Sequence, residues 1–380
     1  MNQKVYNWQL KRKMDFKYNE VRPQKQASWI FDINKCIACQ TCTLACKNAW
    51  TSGKGQEYMW WNNVETKPWG FYPLGWDVQL LEKLKTQKWN KDKYEGKTIF
   101  EASQFGEEIL GYTPELDDYS SPNIGEDETA IPVEQGQFIK IPHEPWMFYL
   151  PRICNHCTYP GCIAACTRKS IYKRKEDGIV LIDQKRCRGY RECVRGCPYK
   201  KSFFRENTGK SEKCISCYPT VEKGFQTECV TNCIGKIRLF GFKSQWSKPR
   251  EDNPVDYLIH VRKIALPLFP QFGTEPNVYY IPPIHIPQEF NKQLFGPGVE
   301  EAVKAYKNAK DDKRLIAILV LMGCTDKIIH SFKVEGNLEK GEAIGFDEGK
   351  KEIIRVPLKE PIYIRKAYDE ERKVQRISIP

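Results

Sequence analysis

The sequence predicts an α+β fold built from two copies of a small cysteine-bearing module, with a long insertion and a C-terminal extension. Three observations carry that prediction. Fifteen of the sixteen cysteines fall into four tightly spaced groups, leaving Cys324 alone. Short alternating segments ending in turn formers lie among the groups. The clearest is Ile171 to Asp183 (IYKRKEDGIVLID), where two apolar-bearing strands flank Asp177-Gly178, a pair suited to positive backbone angles. Two long stretches hold no grouped cysteine, Lys47 to Arg152 and the 147 residues after Cys233, and these set the insertion and the extension.

The spacing within the groups decides their chemistry. Cys36, Cys39, Cys42 and Cys46 read C-x2-C-x2-C-x3-C, and Cys154, Cys157, Cys162 and Cys166 read C-x2-C-x4-C-x3-C. Cys187, Cys193 and Cys197 read C-x5-C-x3-C before Pro198, and Cys214, Cys217, Cys229 and Cys233 read C-x2-C-x11-C-x3-C. Three thiolates on a short loop wrap one iron-sulfur cube. The fourth, three residues on, starts a helix pointing away and, as in two-cluster ferredoxins, serves the other cluster. Groups then come in pairs that each lend one ligand to the partner, so four groups hold four clusters in two ferredoxin-like two-cluster modules, a pseudo-repeat. Spacing alone allows nested or sequential pairing.

Disulfides and zinc are the competing readings. A disulfide framework needs an export context and a small domain, whereas Met1 to Ala27 is polar and basic and contains no signal-peptide segment. Zinc prefers two separated pairs of ligands, a pattern that only the Cys214 group imitates.

The third group lacks a ligand. In CRGYRECVRGCP, Tyr190 stands where the pattern would have its second cysteine. A phenol is too bulky to share that corner of the cluster, so the simplest centre there is a 3Fe-4S cluster, beside three 4Fe-4S clusters from the complete groups. His156, between two ligands, reads as a ring that hydrogen-bonds near a cluster, and Cys324 as a buried apolar cysteine.

The formal charge of +12 counts every cysteine as neutral. Four clusters of about -2 each bring about -8 and leave the loaded protein near about +4. Arg152, Arg168, Lys169, Arg186, Arg188, Arg191, Arg195, Lys200 and Lys201, packed around the groups, then offset buried negative charge, which excludes nucleic acid as the reason for them. The longest apolar run, Leu315 to Cys324, is ten residues. Crossing a bilayer takes about twenty, so no direct membrane span is expected.

In chain order, residues 1–27 read as a basic arm ordered only against a partner. Ser28 to Asp32 (SWIFD) reads as a short strand feeding the first cysteine loop. The aromatic run holding Trp60, Trp61, Trp69 and Trp76 sits among turn formers and reads as an interface, a cover over a cluster, or a second core. Asp117 to Glu128 reads as exposed, and Ser202 to Lys213 as a second hairpin turning at Asn207 to Gly209. Pro267 to Pro287 is extended, Pro297 to Lys310 and Lys313 to Met322 have helical spacing, and the tail from Lys351 either wraps a neighbour or ends in solvent.

Four groups in this order, with an aromatic residue in place of one ligand of the third, resemble the electron-transfer beta subunits of the respiratory nitrate reductase branch of the DMSO reductase family. Within that branch VYNWQL, KCIACQTCTLACKNAW and GQEYMWWNNVETKPWG look closest to nitrite oxidoreductase beta subunits, and GTEPNVYYIPP is shared across the branch. Tyr190 stands where nitrate reductases have tryptophan.

The resemblance implies nested pairing. Cys154, Cys157, Cys162 and Cys197 then hold one 4Fe-4S cluster, Cys36, Cys39, Cys42 and Cys233 a second, and Cys214, Cys217, Cys229 and Cys46 a third. Cys187, Cys193 and Cys166 hold the 3Fe-4S centre. Residues 28–60 with 200–245 form the outer module and 146–199 the inner one, with 61–145 as the insertion and 246–380 as a partner-wrapping extension. The implied function is electron transfer between an alpha subunit carrying a molybdenum bis-pterin centre, where nitrite is oxidised to nitrate, and a haem b gamma subunit. The alternative is the beta subunit of a nitrate, selenate, chlorate or perchlorate reductase, and a self-contained iron-sulfur enzyme is a further reading. The chain itself carries no recognisable nucleophile or catalytic dyad. The expected location is extracytoplasmic, by co-export with the alpha subunit and membrane attachment through a partner, with the cytoplasmic face of the membrane as the alternative.

Overall fold

A computed structural model describes residues 3–103, 109–120, 146–359, 365–369 and 373–378, which fold as mixed α and β structure. At the centre is a four-stranded sheet in the order Arg238–Lys243, Gln26–Asp32, Val278–Ile281, Leu266–Pro267. Gln26–Asp32 (QASWIFD) is buried along its whole length. A strand covered on both faces needs bulky side chains on both, and Trp29, Ile30 and Phe31 supply them.

The register of this sheet positions the first and last cysteine groups. Gln26–Asp32 pairs antiparallel with Arg238–Lys243, Phe31 opposite Arg238. The chain leaves Asp32 towards Cys36 at the same edge where it arrives from Cys233 at Arg238. Residues far apart in sequence thus meet because one ladder joins their flanks. The helix Thr41–Trp50 packs on Glu228–Thr231 to complete the junction.

The middle groups are joined locally. Ile171–Lys173 and Val180–Ile182 form the expected hairpin, with Gly178 at φ 70° in a six-residue loop wider than a tight turn. Gly161–Ala164 packs against Glu192–Gly196, and the backbones approach so closely that a Cβ on Gly161 would lie 2.5 Å from the Gly196 carbonyl oxygen. The second hairpin, Ser202–Arg205 with Lys210–Lys213, is also present and turns at Gly209.

Three expectations need correction. Residues 3–16 are no loose arm: Gln3–Asn7 and Arg12–Phe16 form a hairpin whose Val5, Leu10, Met14 and Phe16 enter the main core. Asn7 Nδ2 ties it down by donating to the Gly273 carbonyl at 3.0 Å. The lysines in between hid an alternation of buried and exposed positions. The aromatic run is regular in part: Asn63–Lys67 pairs with Phe148–Arg152, and Trp76 opens the helix Trp76–Leu84 with its ring in the core. The segment after Arg238–Lys243 carries a core of its own, in which Leu315, Ile318 and Leu321 of the helix Lys313–Leu321 meet Val255, Leu258 and Phe332.

Val299–Lys307 is the other expected helix, and the strands Ser331–Glu335, Glu342–Phe346 and Glu352–Pro357 form an antiparallel sheet. The acidic stretch is described to Ser120, with Asp117 exposed, and its remainder lies outside the described residues, as do parts of the tail. Among the described residues no helix is long and apolar enough to cross a membrane.

Candidate metal centres

Each cysteine group is bent by residues in unusual backbone conformations. Non-glycine residues with positive φ occur in all four groups: Ala38 and Gln40, His156, Arg191, and Ser216 with Cys217. Such conformations cost free energy and persist where the surroundings impose them. Their effect here is to curl each loop so that its thiols face inward.

A helix follows, and its second residue is the cysteine at the pattern's third position: Cys42 in Thr41–Trp50, Cys162 in Gly161–Ala164, Cys193 in Glu192–Gly196, where Tyr190 takes the second position, and Cys229 in Glu228–Thr231. The expectation that the fourth cysteine starts the helix is therefore corrected. Cys46 lies one turn inside its helix, and Cys166, Cys197 and Cys233 lie at or just past the ends of theirs. Four residues of helix advance about 6 Å on nearly the same face, which carries the fourth thiol away from its own loop.

The thiols collect around separate cavities. One is lined by Cys36, Cys39, Cys42 and Cys233, a second by Cys46, Cys214, Cys217 and Cys229, and a third by Cys166, Cys187 and Cys193 with Tyr190. Cys154, Cys157, Cys162 and Cys197 also face one another. Burial first, and then Cys154 and Cys197, push the Cys157 thiol up. Among the described residues no three His, Cys, Asp or Glu side chains converge closely enough to hold a single metal ion. A zinc site needs its donors about 2 Å from one point, whereas these sulfurs ring a volume.

The surroundings fit an anionic group with many acceptor atoms. Burial pushes the Cys36 and Cys193 thiols up to about 11 and Cys217 to about 12, so these thiolates need added positive charge to form. Buried lysines stand beside other cysteines of the groups, with no carboxylate in contact among the described residues. Lys173 Nζ donates to the carbonyls of Cys157 and Gly178 at 3.1 and 2.8 Å, and Lys200 Nζ to those of Tyr112 and Arg195 at 2.6 and 2.8 Å. Burial lowers both lysines to about 7. The cavity of Cys46, Cys214, Cys217 and Cys229 is bordered by buried donors that find no protein acceptor, Trp61 Nε1, Asn62 Nδ2 and Ser216 Oγ. Buried donors are ordinarily satisfied, and cluster sulfides would be their acceptors. The residues present thus fit iron-sulfur clusters.

Other predicted residues differ in detail. Tyr190 borders its cavity but is 62 % exposed, so its ring turns outward and does not plug the corner. His156 is fully buried, stacks on Trp29 at 5.3 Å, and accepts from the Val180 amide through Nδ1 at 3.0 Å. Cys324 is only half-buried and bonds the Val320 carbonyl. Of the basic residues assigned to charge compensation, Lys200 and Lys201 are buried, while Arg168, Lys169, Arg186, Arg188 and Arg191 lie at the surface. Arg152 is buried but pairs with Glu65, and Arg195 with Glu192. Sequence reasoning passed over Arg238, Lys213 and Trp50, which touch cysteine sulfurs directly. Lys213 adjoins Cys214, and that adjacency was the one available signal.

Comparison with known proteins agrees with this chemistry. Residues 145–243 match the family described as a 4Fe-4S dicluster domain. Selenate reductase subunit beta from Thauera selenatis is 41 % identical over 341 residues, covering 80 % of this chain and 98 % of that protein. Chlorate reductase subunit beta from Ideonella dechloratans is 41 % identical over 80 % of this chain and 98 % of its own length. Respiratory nitrate reductase subunit beta from Haloferax mediterranei is 41 % identical over 75 % and 86 %. With thiol-lined cavities, a dicluster domain and relatives matched along nearly their whole length, the chain belongs to the family of iron-sulfur beta subunits of selenate, chlorate and nitrate reductases.

Proposed function

We propose that this chain is the electron-transfer subunit of a nitrite oxidoreductase, carrying electrons between a molybdenum bis-pterin alpha subunit and a haem b gamma subunit. The observation that carries the reading is the sorting of fifteen grouped thiols into four sets, each drawing members from two cysteine groups. In the proposed ligation Cys36, Cys39, Cys42 and Cys233 hold one 4Fe-4S cluster, Cys214, Cys217, Cys229 and Cys46 a second, and Cys154, Cys157, Cys162 and Cys197 a third. Cys166, Cys187 and Cys193 hold a 3Fe-4S cluster beside Tyr190. When bound, such clusters supply one-electron carriers.

The chain's own part is to hold these carriers in a row, dry and close together, because tunnelling falls exponentially with distance. The nested division into an outer module of residues 28–60 with 200–245 and an inner one of 146–199 is supported by the ladder that joins Phe31 to Arg238. The alpha-facing end is assigned to the cavity of the exposed Cys39, where Ile37 and Ile234, the latter next to Cys233 in the chain, are each 66 % exposed. Apolar side chains left in solvent around a redox centre suit a partner's surface.

The names of the relatives favour a second reading of the same role, as the beta subunit of an oxyanion reductase. Anaerobic purification of the chain with its neighbours, iron analysis and paramagnetic resonance test both. Iron-loaded chain without nitrite turnover, recovered with a molybdenum subunit that oxidises nitrite, is the expected result. Turnover by the isolated chain overturns the electron-transfer role. A partner that reduces selenate or chlorate but does not oxidise nitrite selects the second reading. Extracytoplasmic location by co-export is checked by fractionating intact cells.

A further inference from the structure

We propose that Arg238 and Lys213 are counter-cations shared between neighbouring iron-sulfur centres, each raising the reduction potential of the centre on either side of it. This rests on the ligand sets proposed above. Arg238 is 1 % exposed, and its Nη2 donates to Cys42 Sγ at 2.9 Å. Its buried positive charge also acts on the Cys229 sulfur. Those two sulfurs belong to different sets, Cys42 with Cys233 and Cys229 with Cys46. Lys213 repeats the arrangement at the next junction. Its buried Nζ lies 3.6 Å from Cys154 Sγ and donates to the Cys214 carbonyl at 2.9 Å, and Cys154 and Cys214 again belong to different sets.

Among the described residues neither has a carboxylate in contact. Arg238 otherwise reaches the Asn62 amide oxygen at 3.4 Å, and its Nε finds no protein acceptor. Lys213 otherwise meets the Val180 carbonyl. A buried cation left with neutral acceptors is costly, so these positions make sense only beside anions. An arriving electron adds negative charge, and a cation against the ligand sulfur favours that reduced state in a low-dielectric interior. Because each cation lies at a junction between two sets, it favours the electron on both sides of that junction. One electron leaves one centre and appears on the next, with no bond broken and no proton moved. The centre at Tyr190 differs at its sulfurs: Cys166 Sγ meets the Ser170 hydroxyl at 3.1 Å and Cys187 Sγ accepts from the Ser211 amide at 3.5 Å, both neutral donors, while its cation, Lys210, reaches only the Cys187 carbonyl, at 2.5 Å.

The test is a potentiometric titration of the anaerobically purified complex, followed by paramagnetic resonance, with iron per chain measured on the same samples. Arg238→Gln is expected to shift electron occupancy of its two flanking centres at least tenfold towards oxidised, 59 mV for a one-electron couple. Arg238→Lys retains most of the potential, Lys213→Met shifts the pair at its own junction, and the three-iron centre stays put in all three. Iron-replete Arg238→Gln and Lys213→Met complexes with wild-type potentials overturn the proposal, and so does a uniform shift of every centre. A wild-type chain without iron would instead overturn the ligand reading. Should Arg238→Gln lose iron, the Lys213→Met titration decides.

Discussion

Glu65→Gln removes one buried charge while keeping the size of the side chain, and the structure fixes what that should cost. Glu65 and Arg152 are both buried, on the paired strands Asn63–Lys67 and Phe148–Arg152. Arg152 Nε donates to Glu65 Oε1 at 2.8 Å, and Nη1 donates to the Tyr199 carbonyl at 2.8 Å, two residues past Cys197. Glu65 also accepts from the Tyr72 amide at 3.0 Å and from Trp76 Nε1 at 3.1 Å. Burial alone would raise its carboxyl pKa, but Arg152 and Lys67 overcome that and hold it below the usual carboxylate range. In the variant Lys67 keeps Asp77 at 2.9 Å, but Arg152 is left charged with only carbonyl acceptors and the Trp76 ring at 4.0 Å. Breaking one side of a buried pair costs about 3–5 kcal/mol. With a urea m-value of about 3 kcal/mol/M, the unfolding midpoint should fall by about 1 M or more. Tryptophan fluorescence of the iron-loaded chain reads the midpoint, and the double variant Glu65→Gln with Arg152→Met should recover part of the loss, since coupled pairs interact by about 0.5–3 kcal/mol. An unchanged midpoint at unchanged m refutes the assignment of this pair as the clamp between the insertion and the Cys197 loop.

Three other perturbations test separate parts of the account. Tyr190→Cys places a thiol at the corner where the third group lacks one, and it should add one iron per chain while removing the oxidised three-iron resonance; an unaltered resonance and iron content count against the three-iron assignment. Met14→Ala opens a cavity under the N-terminal hairpin and should cost about 2–5 kcal/mol, read as a lower unfolding midpoint, whereas a solvated arm would show no change. Ile37→Glu with Ile234→Glu should abolish recovery of the catalytic partner without loss of iron from the chain. Retained co-purification would place the partner elsewhere.

The cysteine chemistry was legible because ligand spacing is a local property. A loop either can or cannot wrap a cluster, and C-x2-C-x2-C-x3-C says so within a few residues. Hairpins were legible where glycine or aspartate marked a turn, as at Gly178 and Gly209, whose positive φ values the turn requires. The N-terminal hairpin escaped because its polar and basic residues masked the alternation of Val5, Met14 and Phe16, and burial there comes from a surface formed by distant segments. Arg238 and Lys213 escaped for a related reason, since a lysine or arginine in sequence gives no sign of whether its charge ends in water or against a sulfur.

By itself, then, the sequence determined which thiols are grouped at cluster-like spacing, how many groups they form and that one group has Tyr190 where the pattern has a cysteine. All of that follows from covalent spacing and side-chain chemistry. Only the tertiary structure decided which distant groups meet, because the Phe31–Arg238 register and the Gly161–Gly196 approach are contacts between remote segments that spacing cannot specify. It also decided where the buried positive charge sits. The energy of a charge depends on the dielectric and the partners around it, and those exist only after the chain has folded.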